Sequence, residues 1–273
     1  MSTTPRLTDH PALTRHRARA ARAPALFLHD SACDEAQDRL AMVNRAFTDV
    51  VIVTPWPQVW APHFPAARIV PDAETLDLAE GSADLVIHAL ALHWADDPVG
   101  QMIQCRRALR PDGLFLGLTF AGRTLHELRA ALSQAETEVC GGLSPRVAPM
   151  AEIRDLGALM QRAGLALPVA DAATLTASYE SALHLMRDLR AMGEGNALAA
   201  RHRRIPPRAL FPRAAALYAQ AFALPDGRVP ATFEIITLTG WAPDASQPQP
   251  LRPGSASARL ADALGTPEQP LKD

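Results

Sequence analysis

The run from His88 to Phe115 constrains this chain more than any other stretch, because it holds a strand, a capped helix, a turn and a second strand with almost nothing between them. Asp84-Leu-Val-Ile-His-Ala-Leu-Ala-Leu92 is nearly unbroken apolar sequence, the pattern of a parallel strand covered on both faces. Asp96 or Asp97 can accept from the first free N–H groups of a helix, and Pro98 suits the first helical position because it has no donor to waste. The helix is therefore expected to start at Pro98, with Met102, Ile103, Arg106 and Leu109 on a mixed apolar face. Arg110-Pro-Asp-Gly113 is expected to stop it, with Gly113 taking positive φ, and Leu114 to Phe120 to form the next strand. This is half of a doubly wound α/β sheet, with a ligand edge at His93 to Asp97.

The rest of the chain fills in around that unit. Ala36, Leu40, Val43 and Phe47 recur at near-helical spacing in a helical N-terminal segment, residues 1–47, and Thr48 to Val53 reads as the first strand. Leu125, Leu128, Leu132, Ala135 and Val139 mark a helix ending near Gly141-Gly142, and Ile153 to Ala163 a second ended by Gly164. Leu165 to Tyr179 and Phe233 to Trp241 read as a closing antiparallel pair. Between them Ala182 to Phe222 is helical by pattern, broken at Pro206-Pro207, and is expected to cap the ligand edge at about 180–224. The division is thus a helical segment at 1–47, an α/β domain at 48–241 and a proline-rich tail at 242–273, with one short helix at Ser257 to Leu264.

Composition excludes several classes. A 48% hydrophobic content over 273 residues supplies a real core. Lys+Arg 27 against Asp+Glu 29 leaves a net charge of −2, which argues against nucleic acid as partner. Cys33, Cys105 and Cys140 are scattered, so neither a disulfide scaffold nor a zinc site is indicated, and all three read as small buried residues. No apolar run is long enough for a signal peptide or a membrane span, and a cytoplasmic location is expected. Arg15-His-Arg-Ala-Arg-Ala-Ala-Arg22 reads as a solvated helix face, with a docking arm for an acidic partner as the sharper alternative. No Ser-His-Asp elbow, phosphate loop or His-Glu-x-x-His is present.

Leu92-His93-Trp94, Arg106-Arg-Ala-Leu-Arg-Pro-Asp-Gly-Leu-Phe115, Gly142-Leu-Ser-Pro-Arg-Val147, Met186-Arg-Asp-Leu-Arg-Ala-Met-Gly193 and Ala231-Thr-Phe-Glu-Ile235 together resemble one family. It is the bacterial relatives of NADH:ubiquinone oxidoreductase complex assembly factor 5, within the class I S-adenosylmethionine-dependent methyltransferases. The resemblance implies a Rossmann-like, mostly parallel sheet, shortened in its first half, with a helical insertion before the last strand. It implies a maturation factor that hydroxylates an arginine of a complex I subunit, and S-adenosylmethionine as the cofactor of the fold. The cofactor would lie against Val53 and Thr54, Asp72 and Ala73, and Ala89, Leu90 and Trp94, with His93 as catalytic residue, orienting substrate or acting as general base.

One segment departs from that pattern. The first strand is followed by Thr54-Pro-Trp-Pro-Gln-Val-Trp60, without the glycine that lets a backbone approach a nucleotide. Two prolines remove donors there, and Trp56 is bulky where glycine is needed. Only one crossover fits before Ala67-Arg-Ile-Val70. Either the usual second strand is deleted and Asp72 is the adenine contact, or Ala67 to Val70 is the second strand and Asp72 the ribose ligand. In both alignments the cofactor site is weakened. His88, His93 and Asp96 or Asp97 have metal-ligand types, but Asp97 has a capping task and His88 lies inside a strand, so no metal is expected. Arg146 and Arg154 are candidate clamps for a carboxylate or carbonyl of a protein substrate, and Arg187, Asp188 and Arg190 read as helix-surface ion pairs. Three functions stay open: arginine hydroxylation on a degenerate site, plain methyl transfer, and non-catalytic chaperoning.

Overall fold

The computed structural model describes residues 6–248 and 265. Six strands form one sheet in the order β2-β1-β3-β4-β6-β5: β1 Val50–Val53, β2 Arg68–Val70, β3 Ala83–Ala89, β4 Leu109–Phe120, β5 Ala166–Tyr179 and β6 Val229–Trp241. The first four run parallel, and β6 is antiparallel to both β4 and β5. This is the doubly wound, mostly parallel sheet with a shortened first half, since a single strand, β2, lies outside β1. The chain winds outward from β1 to β2 and returns to place β3 on the other side of β1. The crevice between the ends of β1 and β3 is therefore the topological switch point.

Side-chain alternation divides the core between the two faces. Ile52, Leu85, Ile87, Leu114, Leu116 and Leu118 face helices α2 (Phe27–Met42), α5 (His126–Cys140), α7 (Ala182–Ala191) and α8 (Leu210–Phe222). Val51, Val53, Val86 and Phe115 face α4 (Pro98–Ala108) and α6 (Ile153–Arg162). Each fully buried Leu or Ile contributes about 1.5–3 kcal/mol, so the continuous apolar runs of β3 and β4 fix the register. The N-terminal α1 (His10–Ala20) lies at the carboxyl end of the sheet, capped by Asp9, whose Oδ1 accepts from Ala12 N–H at 3.1 Å.

Local chemistry sets the boundaries. Asp97 Oδ1 accepts from Gly100 N–H at 2.8 Å and Pro98 is the first residue of α4. The turn expected after α4 is replaced by strand: β4 begins at Leu109, five residues before the expected Leu114, and within it Asp112, not Gly113, takes φ 60°. Gly113 is required for a different reason, because a Cβ there would stand 2.9 Å from Arg110 O. The strand over Asp84 to Leu92 is also shorter than its apolar run. Leu90 adopts φ 47°, which breaks the extended chain, and Leu92–Trp94 forms a single 3-10 turn. Cys33 and Cys105 are buried, whereas Cys140, the last residue of α5, is exposed. The Ser257 to Leu264 helix lies outside the described residues. Asp244 to Gln247 makes a turn in which Asp244 Oδ1 accepts from Ser246 N–H and Oγ–H at 2.9 and 2.6 Å.

Candidate functional site

Three loops meet at the switch point, and the chain's own side chains fill the space between them. After β1, Thr54 N–H donates to Val70 O and Trp56 N–H to Thr54 Oγ1. The short helix α3 (Pro57–Trp60) follows, and Trp56 and Trp60 are 2% and 0% exposed. After β2, the carboxylate of Asp72 receives both of its hydrogen bonds from Arg17 Nη1, at 2.7 and 3.0 Å. After α7, Gly193 holds φ 81°, and a Cβ on it would lie 3.0 Å from Arg17 Cγ and 3.2 Å from Trp56 Cζ2. Gly193 thus lies close to both Arg17 and Trp56, and Arg17 in turn holds Asp72. Arg17 does not belong to the solvated face expected of the basic cluster: its side chain is 15% exposed, and its Nε and Nη2 are buried without partners.

The same edge anchors the N-terminus. Asp96 Oδ1 accepts from Leu7 and Thr8 N–H at 2.7 and 2.9 Å, and its Oδ2 lies 3.2 Å from His10 Nε2. Glu74 Oε1 lies 2.9 Å from the same nitrogen. His10, Glu74 and Asp96 have metal-ligand types within reach of one another, but their oxygens are already committed to tying α1 down. Two glutamines of α4 brace the loop after β2. Gln101 pairs with His88 Nε2 at 2.7 Å and donates to Ala73 O, while Gln104 bonds Leu76 N–H and Glu74 O. Burial drives the pKa of His88 down, so it sits as a neutral core histidine.

Of the residues expected to hold the cofactor, Val53, Ala89 and Leu90 are fully buried and Thr54 nearly so. His93, the expected catalytic residue, is 2% exposed at its side chain, and its Nε2 lies 3.1 Å from Glu194 Oε2. Its ring packs edge-on to Phe120 at 4.9 Å. Trp94 Nε1–H donates to the same Glu194 oxygen at 2.7 Å.

Beside this closed crevice, toward α5, α7 and α8, lies an open cavity of about 330 Å³. Trp94 is the one expected cofactor residue on its wall. Its floor is apolar, with Leu128, Leu132, Met186, Leu189, Met192 and Phe233, so the helical insertion supplies part of its wall. Glu194 is the sole carboxylate among the lining residues. Burial opposes ionisation of Glu194, but the charge and hydrogen bond of His93, the charge of Arg17 and the Trp94 indole N–H outweigh it, and the carboxyl is held below its usual range. Arg146, a candidate clamp, lines the cavity while bound to Glu136 at 2.6 Å and lying over the Phe211 ring. Arg154 is exposed on α6. The ion pairs expected on α7 do not form among the described residues, because Asp188 accepts instead from Tyr179 Oη–H at 2.8 Å. Sequence reasoning missed Glu194 and Arg17. A signal existed for the first, a lone acid after the helix-ending Gly193, and none for the second.

Comparisons with known proteins agree with this architecture. A family model described as a methyltransferase domain matches residues 30–117. The zebrafish (Danio rerio) protein named mitochondrial arginine-hydroxylase NDUFAF5 is 39% identical over 198 residues, covering 72% of this chain and 61% of its own. The human protein of that name is 38% identical over 200 residues, covering 73% and 58%. A malonyl-[acyl-carrier protein] O-methyltransferase of Laribacter hongkongensis is 36% identical over 179 residues, covering 66% and 58%. The chain thus spans about three fifths of the length of these relatives. Among the described residues no helix is long and apolar enough to cross a membrane. With its doubly wound sheet the chain has a class I methyltransferase-like architecture, and over about 200 residues it is similar to the NDUFAF5 arginine-hydroxylases and to a malonyl-[acyl-carrier protein] O-methyltransferase.

Proposed function

We propose that this protein is a maturation factor of the NDUFAF5 type. It receives an arginine of a complex I subunit in the cavity beside Trp94, in the cytoplasm, and no longer relies on S-adenosylmethionine. The observation that carries the reading is the contrast between the two sites: the adenosyl crevice is packed with Trp56, Arg17 and the Gly193 backbone, while the neighbouring cavity stays open and carries one ionised carboxylate. Val53, Thr54, Asp72, Ala73, Ala89 and Leu90 are the remnant of the cofactor cradle. An adenosyl group needs the room that Trp56 occupies and the carboxylate that Arg17 has taken, so the residues present do not fit it.

In this reading the chain's residues bind and orient. The apolar walls take the methylenes of the arginine, Trp94 and Phe120 shape its entry, and His93 holds Glu194 in place. His93 acts as a positioning residue, because its Nε2 is committed to Glu194. The closed crevice equally supports a second reading, in which the protein holds the subunit without changing it.

Two measurements decide. Calorimetric titration with S-adenosylmethionine is expected to give no heat, and micromolar binding that is lost in Asp72→Ala would restore the methyltransferase reading. Intact-mass analysis of the candidate subunit, made with and without this protein in the presence of dioxygen and a two-electron reductant, is expected to show the gain of one oxygen, the second oxygen atom leaving as water. Stable complex formation with no mass change would establish the holding function instead.

A further inference from the structure

The cavity contains an acceptor whose capacity is half spent. Glu194 Oε2 is fixed by Trp94 Nε1–H and His93 Nε2, whereas Oε1 takes no hydrogen bond and is not among the sealed, unpartnered atoms. The side chain is recessed, with 14% of its area exposed. A carboxylate on the wall of a cavity whose floor is apolar calls for a cation on an apolar stem. The two natural candidates differ in physical character. An ammonium is a compact and strongly hydrated charge, expensive to bring into such a wall. A guanidinium is planar and weakly hydrated, offers a fork of donors to a carboxylate, and stacks against rings such as Trp94 and Phe120.

We infer that Glu194, through Oε1, is the residue that recognises the guanidinium of the substrate arginine, and that it selects arginine over lysine. This rests on the proposed function, and it adds a condition on the substrate. Arg19 and Arg190 are exposed, line the same cavity and make no ion pair among the described residues, while Arg146 is neutralised by Glu136. A bare arginine would be repelled by that rim. The arginine that enters is therefore one flanked by aspartate or glutamate, whose carboxylates meet Arg19 and Arg190 as the guanidinium passes inward.

Fluorescence anisotropy with labelled short peptides tests this on the full chain. The probes carry a central arginine, lysine or citrulline between glutamates, plus a central arginine between lysines. Citrulline keeps the shape and removes the charge. Wild type is expected to bind the glutamate-flanked arginine peptide about tenfold tighter than the citrulline or lysine peptide, and Glu194→Gln to bind arginine and citrulline equally. Glu194→Asp should regain part of the preference, a rescue that a merely structural role would not give. Arg19→Ala and Arg190→Ala, both at exposed positions, should weaken the glutamate-flanked peptide and spare the lysine-flanked one. Equal binding of arginine and citrulline by wild type overturns the assignment, even if Glu194→Gln fails to fold, and so does a preference that survives in Glu194→Gln. The two readings separate cleanly. An oxygen gained by the subunit without any arginine preference sinks the anchor alone, and arginine preference without mass change sinks hydroxylation alone.

Discussion

Replacing Arg17 by methionine tests whether charge holds the crevice shut. The Arg17 and Asp72 side chains are 15% and 10% exposed, and Arg17 supplies both hydrogen bonds that the Asp72 carboxylate receives. Removing one partner of a pair so enclosed strands the other in a poorly hydrated place, at a cost of roughly 3–5 kcal/mol. The residual exposure of both groups puts the expected loss at the lower end, about 3 kcal/mol. Methionine keeps the apolar stem against Gly193 and Trp56, so lost packing does not masquerade as lost charge. Asp72→Ala should cost a similar amount, because Arg17 Nε and Nη2 already lack partners and the guanidinium would then have none. The double variant removes both charges together with those two stranded donors, which cost about 1–3 kcal/mol each, and should return to within about 1 kcal/mol of wild type. Urea unfolding of all four proteins, with m unchanged, reads out the cycle. Single losses below about 1 kcal/mol that simply add would refute the idea that this pair locks the crevice.

Three further outcomes follow from the same geometry. Burial lowers the pKa of His29 to about 4, so the unfolded chain binds the extra proton between that value and about 6.5. The His29 contribution is full above pH 6.5 and falls by roughly 3 kcal/mol as pH drops toward 4; His29→Leu should make this limb shallower in unfolding midpoints taken across that range, leaving the part that the buried His88 and half-buried His16, whose pKa values burial also lowers, contribute. Gly193→Ala places a Cβ against Arg17 and Trp56 at φ 81° and should lower stability by about 1–3 kcal/mol in thermal or denaturant unfolding, whereas Gly227→Ala, with open space around it, should cost only the backbone strain. Burial raises the thiol pKa of Cys33 to about 11 and of Cys105 to about 12. A colorimetric thiol reagent at neutral pH should therefore modify Cys140 at once and the other two only on unfolding, and rapid reaction of more than one thiol would contradict their burial.

Elements whose physics is local were legible in the sequence. The Asp97-Pro98 start of α4, the glycine ends of α5 and α6 and the broken helical insertion each depend on residues within a turn or two of one another. The misses came where distant segments compete. The apolar run past Ala89 does not reveal that Leu90 turns back, with its N–H on Leu118 O. The Arg110 to Gly113 segment reads as a turn but is taken into β4, where Asp112 takes the positive φ and a Cβ on Gly113 would stand against Arg110 O. Arg17 looks like any arginine of a basic helix until Asp72, fifty-five positions later, draws it inward. Glu194 is one hundred residues from Trp94, and no spacing rule joins them. The glycine-free loop after β1 was visible, but that Trp56 would turn into the crevice depended on Gly193 leaving room for it.

Loss of a glycine turn does not by itself close a cofactor crevice, since a tryptophan there could project into solvent. Closure here takes acidic groups at the carboxyl edge of the sheet. Asp72 binds Arg17, while Glu74 and Asp96 hold His10 and the backbone before α1. Three acidic groups at that edge thus bind the protein's own N-terminal segment. Glu194 is placed differently. It is reached from the cavity, shares Trp94 with the old edge, and keeps an oxygen uncommitted. On the proposed function, recognition therefore lies at the wall built by the helical insertion rather than at the ends of β1 and β2, where sheet topology alone would place a ligand.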